Sequence, residues 1–477
     1  MNLKKGDVIE LEISKYAFEG KGIGKIKLDE NDESAYVVFV DKTYPGDKVK
    51  ASYSRIKKSY AEARLEEILE KSVDRTEPKC THFGVCGGCK QQDLKYEVQA
   101  EYKELQVKEI FEKMGGLKDF EFLPIVKANN VFFYRNKLEF SFSDKRWLTV
   151  EEINQSSEID DKNFALGFHI PRMFDRILDI DKCWLQSEES NKILNFTRNF
   201  FKSRNTSIYS TKDHKGFLRH LVIKHSHHTN DLMVNIVTSE YNEDLMKEYS
   251  DEMIKEIPEI TTIVNNINTK KAQVAYGDYE EVLYGSGFIN DKIGKYKFRI
   301  SPNSFFQTNT LQAEKLYNTA LEFADFKEDE IVYDLYSGAG TIAIYVSEKV
   351  KSIYAFEHIP EAVADAKENM KLNNVSNISF FEADLNKSFQ QKLIEDKIPH
   401  ADTIIADPPR SGMNPKTIQD ILFVNPKKVV YVSCNPTTQV RDIKLLVENG
   451  YRLIKIQPVD MFPHTFHIEN VALLVKE

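Results

Sequence analysis

Cysteine is scarce in this chain, five residues in 477, and its distribution is uneven. Cys80, Cys86, Cys89 and Cys183 are spaced like a ligand set, while Cys434 stands alone in Val432-Ser433-Cys434-Asn435-Pro436. The apolar run Lys428-Val429-Val430-Tyr431-Val432 precedes that lone thiol. A β-rich run that stops at Cys-Asn-Pro predicts a thiol at the C-terminal end of a strand. Open α/β sheets bind ligands at that edge. An isolated thiol there is a candidate nucleophile, and an inert buried core cysteine is the competing reading.

The other four cysteines point to a different chemistry. Cys80-x5-Cys86-x2-Cys89 gathers three thiols within ten residues, beside Gly84, Gly87 and Gly88. Cys183, in Ile180-Asp181-Lys182-Cys183-Trp184, supplies a fourth. Four thiolates suit an iron–sulfur cluster or zinc. His82 could join a zinc site, but the pair of close CxxC units usual for structural zinc is absent.

A third group of residues forms a pocket. The run Ile331-Val332-Tyr333 leads into Asp334-Leu335-Tyr336-Ser337-Gly338-Ala339-Gly340-Thr341. Glycines there let a ligand approach the backbone and let a strand turn into a helix. Glu357 ends the next predicted strand and can accept two ribose hydroxyls. An acid in Glu382-Ala383-Asp384 could meet an adenine edge. Gly338-x-Gly340-x-x-Ala343 also approaches a dinucleotide fingerprint, a weak signal by itself. A pyrophosphate would be repelled by Asp334, whereas the cationic amino-acid end of S-adenosylmethionine would not. A fourth strand ends in Asp407-Pro408-Pro409-Arg410-Ser411-Gly412, whose prolines stiffen the chain at the same edge.

These residues need a scaffold, and the sequence predicts one. From about 300 onward, strands at 331–333, 352–356, 378–381, 403–406 and 429–432 alternate with helical stretches such as Pro360 to Asn373. That alternation predicts a doubly wound parallel sheet. Residues 1 to about 71 predict an OB-like β-barrel, with strands at Val8–Ile13 and Tyr36–Val40 and turns at Gly20, Gly22 and Gly24 and at Tyr44–Asp47. From Asp41 to Ser59, six cations (Lys42, Lys48, Lys50, Arg55, Lys57, Lys58) face two acids, with Tyr44 and Tyr53 interleaved. Such a face could hold a phosphate backbone and stack bases. A helix is predicted from Asp93, as its cap, to Met114, closed by Gly115-Gly116. The middle of the chain mixes strands, among them 221–223 and 232–237, with polar loops. Phe133-Tyr134-Arg135-Asn136-Lys137 puts aromatics beside cations, which suits RNA contact.

Composition sets the outer bounds. The length predicts about three domains. Hydrophobic residues are 41% and charged residues 29%, ordinary for a globular protein. The first seven residues carry no apolar segment of a secretory signal, and no apolar run reaches the ~18 residues of a membrane span. A cytoplasmic setting with reduced thiols is expected. A net charge of −9 excludes a uniformly basic coat but not a local one.

Taken together, DLYSGAGT, DPPRSG, VSCNP, MFPHTFHIEN and SPNSFFQTN (Ser301 to Asn309) resemble the RNA uracil-5 methyltransferase family along essentially the whole chain. The resemblance implies a mixed α/β protein. A TRAM-like RNA-binding barrel would span 1–71, an iron–sulfur and RNA-binding middle domain 72–285, and a Rossmann-like class I methyltransferase domain 286–477. The helix 93–114 could pack with the catalytic domain. The resemblance also implies S-adenosylmethionine as methyl donor and RNA as partner. Having both barrel and cysteine set is similar to the 23S ribosomal RNA branch, and transfer RNA is the alternative. In the family pattern Cys434 is the nucleophile that adds to uracil C6. Glu469 is the base that removes the C5 proton, with His464 and His467 as rivals. Gln307, Tyr336, Glu357 and Asp407 match cofactor positions, and Asp407 could instead read the uracil edge. The four cysteines match a [4Fe-4S] site. An amino-methyltransferase using the Asp-Pro-Pro loop and a non-catalytic RNA-binding factor are the remaining rivals.

Overall fold

Three sheets account for most of the computed structural model, which describes residues 3–27, 35–154, 162–171 and 173–477. Residues 1 and 2 of the N-terminal segment lie outside the described residues. The first sheet is a closed five-stranded barrel made of β1 (Val8–Ala17), β2 (Lys21–Ile26), β3 (Tyr36–Asp41), β4 (Lys48–Ile56) and β5 (Tyr60–Glu70), in the order β1-β2-β3-β5-β4. Alternation fills its interior: Leu11, Ile13, Val38, Val40, Val49 and Ala51 point inward. Gly22 and Gly24 were expected in a turn but lie inside β2. A Cβ on Gly22 would sit 2.1 Å from Thr43 Oγ1, and one on Gly24 2.3 Å from Leu11 Cδ1, so crowding inside the barrel explains them.

Tyr44 and Tyr53, expected to stack bases, are buried at 1% and 3% exposure. Tyr44 lies under the Arg75 guanidinium and donates its hydroxyl to Asp93 at 2.6 Å. Asp93 is therefore a junction acid joining the barrel to the next segment, not the helix cap. Helix α1 (Tyr96–Glu109) begins after Lys95 without a side-chain cap and runs into a π-turn at Ile110–Met114.

Helix α1 packs on the C-terminal sheet. Ala100, Val107, Ile110 and Phe111 share a core with Tyr431, Ile443, Leu453 and Ile456. A short strand, β6 (Glu121–Phe122), then joins the edge of that sheet. Lys103 and Asp460 form an ion pair of 2.7 Å with both side chains at most 1% exposed. Removing one partner of such a pair typically costs ~3–5 kcal/mol, because the other charge is left buried alone.

The middle sheet has eight strands: β7 (Lys137–Ser143), β8 (Arg146–Trp147), β9 (Ala165–Ile170), β10 (Met173–Asp179), β11 (Leu218–His225), β12 (Leu232–Thr238), β13 (Thr262–Ile267) and β14 (Tyr279–Tyr284). Helices Glu188–Ser203 and Glu243–Glu256 pack phenylalanines and Tyr249 against it. A hairpin, β15 (Ile289–Ile293) with β16 (Tyr296–Ile300), leads into the last sheet.

That last sheet is doubly wound. It contains β17 (Ile331–Leu335), β18 (Ser352–Glu357), β19 (Ile378–Glu382), β20 (Thr403–Ala406), β21 (Lys428–Ser433), β22 (Tyr451–Val459) and β23 (Glu469–Lys476). Their order is β19-β18-β17-β20-β21-β23-β22-β6. Strands β17 to β21 are parallel, while β23 runs antiparallel to both of its neighbours. The order reverses between β17 and β20, and a crevice opens at their C-terminal ends. Among the described residues, no helix is long and apolar enough to cross a membrane.

Candidate active site

Strand register brings Cys434 near Glu469. The last residue pair of β21 and β23 is Ser433 with Asn470. One more step along each strand gives Cys434 and Glu469, so antiparallel pairing sets thiol and carboxyl opposite each other. Asp407 follows β20, the other neighbour of β21, and Arg410 lies three residues beyond it. The four groups interact. Burial, followed by the charges of Glu469 and Asp407, pushes the Cys434 thiol up to about 11, while Arg410 pulls it down. Burial and the Asp407 charge raise the Glu469 carboxyl well above its ordinary value, again opposed by Arg410. Burial lifts Asp407 to about 7. Three acidic groups crowded at low dielectric cannot all ionise, and Arg410 is the counter-charge that Cys434 and Glu469 share. Sequence reasoning did not single out Arg410, although its place in the Asp-Pro-Pro-Arg segment was the available signal.

The histidine rivals are otherwise occupied. Burial drives His464 down to about 4, and its Nδ1 lies 3.2 Å from Gln99 Nε2. His467 is also pushed to about 4, by burial and then by Arg410, whose Nη2 is 3.2 Å from its Nδ1. Both are neutral near pH 7, and each already has a neighbour that fixes it.

The other end of the crevice lies one strand further over. Asp334 is buried at the end of β17, where Oδ2 accepts from Ala343 N at 3.1 Å and Oδ1 has no partner. Ser337 Oγ beside it is also unpartnered. Burial, then the charges of Asp407 and Glu357, hold the Asp334 carboxyl well above its usual range. Tyr336 takes a left-handed φ of 65°, and its hydroxyl reaches Thr417 Oγ1 at 3.4 Å. A Cβ on Gly338 would meet nothing within 4 Å, so the loop opens onto free space there. A Cβ on Gly340 would strike the Phe380 ring at 2.8 Å. One glycine thus gives room to a ligand and the other to packing. Glu357 accepts from Gly338 N at 2.9 Å and from His358 N and Ile359 N at 2.7 and 2.9 Å. A carboxylate has about four acceptor sites, so it retains capacity for a ligand hydroxyl. Gln307 is tied by its backbone carbonyl to Asn136 Nδ2 at 2.8 Å, and its side chain lies near Tyr317. Tyr317 in turn feels the charges of Asp407 and Asp334, so Gln307 belongs to the same crevice. Asp384 is turned to its own loop, accepting from Asn386 N at 3.0 Å and pairing Lys387 at 3.3 Å.

The four remaining cysteines converge elsewhere. Cys80, Cys86, Cys89 and Cys183 all line one cavity of about 380 Å³, together with Phe83, Phe168, Ile180 and Trp184. Burial raises all four thiols, Cys89 and Cys183 to about 12, and the other cysteines add to the rise at Cys86, Cys89 and Cys183. Among the described residues, no three His, Cys, Asp or Glu side chains converge closely enough to hold a single metal ion. The His82 side chain hydrogen-bonds Asp181.

The expected RNA-contact residues are split. Phe133 is exposed and Tyr134 is buried, its hydroxyl given to Pro463 O at 3.1 Å. On the barrel, Lys48 and Arg55 pair with Glu70 and Glu62 at 3.1 and 3.7 Å, and Lys42 donates to Gly84 O at 2.7 Å. The basic face is therefore weaker than its composition suggested.

A doubly wound sheet with acids and glycines at its switch point, joined to an OB-like barrel, defines a class I methyltransferase with an RNA-binding module. The comparisons give the family. Residues 226–477 match the model of the tRNA (uracil-5-)-methyltransferase family, and residues 2–65 match the TRAM domain. The chain belongs to the tRNA (uracil-5-)-methyltransferase family and is an S-adenosylmethionine-dependent RNA methyltransferase. An uncharacterized RNA methyltransferase of Chlorobaculum tepidum is 43% identical over 473 residues, covering 98% of this chain and 96% of the relative. One from Bacteroides thetaiotaomicron is 42% identical, covering 96% and 99%. The crystal structure of the Pyrococcus abyssi tRNA (uracil-54, C5)-methyltransferase with S-adenosyl-L-homocysteine superposes with a TM-score of 0.73 at 28% identity, covering 98% of this chain and all of that one. The dinucleotide-enzyme and non-catalytic alternatives fall with this membership.

Proposed function

We propose that this protein methylates C5 of a uridine in structured RNA, through a transient bond between Cys434 and C6. The observation that carries the reading is the facing pair Cys434 and Glu469, with Asp407 and Arg410 beside it. Uracil C5 is a poor nucleophile. Attack of the Cys434 sulfur on C6 pushes the ring electrons toward C5 as an enolate, and S-adenosylmethionine supplies the methyl group that C5 takes up. Glu469 then accepts the C5 proton, the C5–H pair re-forms the C5–C6 double bond, and the sulfur leaves with its electrons. Because burial holds Cys434 as a neutral thiol, a neighbouring carboxylate must take its proton first. Asp407, raised to about 7, is part-ionised near neutrality and can take it.

The donor's place is supported by the crevice. The unpartnered Asp334 Oδ1 and Ser337 Oγ, together with the open Gly338, suit a cationic, hydroxyl-rich ligand. Gln307, Tyr336, Glu357 and Asp407 are the residues we assign to it, with Glu357 on the ribose. Asp407 stands between the two halves and could hold the uracil edge instead. The target base must leave its stack to reach a thiol at a sheet edge.

We assign the chain to three units, 1–71, 72–285 and 286–477, with α1 and β6 of the middle unit built into the catalytic layer. The barrel and middle unit would hold flanking RNA by shape, which suits an acidic chain in the cytoplasm. The cysteine cavity suits a [4Fe-4S] cluster bound by Cys80, Cys86, Cys89 and Cys183. In such a cluster each thiolate meets its own iron, so the thiols line a cavity and need not crowd one point. Zinc would require that crowding. The cluster's role would be structural, since methyl transfer moves no net electrons.

The large-subunit 23S ribosomal RNA is the substrate we favour, because having both barrel and cysteine set resembles that branch of the family. Transfer RNA is the alternative, favoured by the Pyrococcus abyssi protein's named substrate. Mass mapping of both RNAs from a deletion strain, before and after the protein is restored, decides between them. Absence of any restored 5-methyluridine would end the reading. RNA carrying 5-fluorouridine should remain covalently attached to Cys434, because fluorine cannot leave as a proton does.

A further inference from the structure

The segment joining β22 to β23 carries Glu469 at its end and is held from several sides. Lys103 Nζ donates to Asp460 Oδ1 at 2.7 Å and to Phe462 O at 3.0 Å. One turn earlier on α1, Gln99 Oε1 accepts from His464 N at 2.8 Å. Residues four apart share a helix face, so one face of α1 grips the first half of the segment, at Asp460, Phe462 and His464. Gln99 is itself fixed, because its Nε2 donates to Gln91 O and Leu94 O at 2.9 and 2.7 Å. His464 sits in a left-handed conformation, φ 64°, that a residue with a Cβ disfavours. Its carbonyl accepts from Lys90 N at 2.8 Å and Gln91 N at 3.0 Å, the residues immediately after Cys89. From the middle unit, Tyr134 donates to Pro463 O at 3.1 Å, and the Phe132 ring lies 4.5 Å from that of His464. From the barrel, Tyr16 Oη accepts from Gln91 Nε2 at 3.0 Å.

Such bracing has little purpose for an ordinary hairpin. We propose that Gln99 and Lys103 on α1, with Tyr134, are positioning residues for the base: they hold residues 460–464, in the chain leading to Glu469, so that Glu469 faces Cys434. The inference rests on the reading of Glu469 as base. Its chemical consequence is specific. Addition to C6 and methyl uptake at C5 need the sulfur but not Glu469, whereas release needs Glu469 to take the C5 proton as the C6–S bond breaks. Loosening the brace should therefore stall release, and a methylated enzyme–RNA adduct should build up on ordinary uridine.

The test uses full-length Gln99→Met and Tyr134→Phe. Gln99→Met keeps volume and deletes the bonds to His464, Gln91 O and Leu94 O, and Tyr134→Phe deletes the bond to Pro463 O and leaves the packing. Adduct on unmodified RNA is read on denaturing gels, alongside KM for RNA, turnover and thermal midpoint. Gln99→Met should slow release about tenfold and leave KM for RNA within about twofold, with adduct visible. Tyr134→Phe should show the same split at a few-fold, and it decides the matter if Gln99→Met does not fold. Parental release rates in both variants, or equal losses of adduct formation and release, would overturn the proposal. Failure of the parent enzyme to trap on 5-fluorouridine RNA would instead sink the underlying mechanism, a distinguishable result.

Discussion

The chain holds two thiol sites, and their surroundings differ in kind. Cys434 is a single sulfur at a strand end, ringed by Glu469, Asp407 and Arg410. Cys80, Cys86, Cys89 and Cys183 line a largely apolar cavity with Arg135 and Lys182 at its wall, where the nearest charges to a thiol include other thiols. Burial raises the pKa at both sites. At the first, the companions are groups that take, give and balance protons, which suits a bond that forms and breaks. At the second, the thiols mainly repel one another on ionisation, a cost that a bound cationic centre would remove. The type of neighbour, more than the shift itself, separates a reactive cysteine from a ligand cysteine.

That contrast can be broken most directly at Cys434. Cys434→Ala should lower methyl transfer by about 10⁴-fold or more while RNA binding persists, as measured by labelled methyl incorporation and filter binding. Normal product from this variant would erase the difference between the two sites. Glu469→Gln should form adduct yet turn over about 10²–10³-fold more slowly, seen as a persistent gel-shifted species under denaturing conditions.

The pH dependence sharpens the comparison. A thiol raised to about 11 is almost wholly protonated near neutrality, so its thiolate grows as pH rises. Alkylation of Cys434 in the RNA-free enzyme should therefore climb about tenfold per pH unit from 7 to 9, followed by peptide mass mapping. A flat profile would mean that Arg410 outweighs the carboxyls. The smallest effect on catalysis is expected at the ligand set. Cys89→Ala should abolish the brown colour of freshly isolated protein and lower the thermal midpoint by several degrees, at ~2–4 °C for each kcal/mol lost. Transfer per folded molecule should stay within a few-fold. A colourless parent protein containing stoichiometric zinc would overturn the cluster assignment.

Much of the catalytic sheet was legible because buried parallel strands are short apolar runs. Thr403–Ala406 was read residue for residue, and Glu357 does end its strand. The cysteine set and the lone thiol stood out by spacing. Long-range partners were not legible. Tyr44 and Tyr53 look like an RNA-facing pair from composition, but Tyr53 turns into the barrel core and Tyr44 is buried at the barrel's junction with the next segment, against Arg75 and Asp93. Asp93 has the residue type and position of a helix cap, yet the distant Arg75 and Tyr44 claim it. Gly22 and Gly24 read as turn residues because nothing local shows that Thr43 and Leu11 will press against them. Arg410 lay inside a recognised segment, and only the convergence of β20, β21 and β23 gives its charge a purpose.

The parallel pairing of β6 with β22 has a consequence for biosynthesis. Gln457 donates to Pro124 O across 333 positions of chain. A ribosome adding about 5–20 residues per second needs roughly 17–70 s between making the two. During that interval α1 has only part of its destination available. The nascent polypeptide must keep that helix's greasy side out of trouble until the final strands emerge, and premature termination anywhere before β22 would leave it stranded.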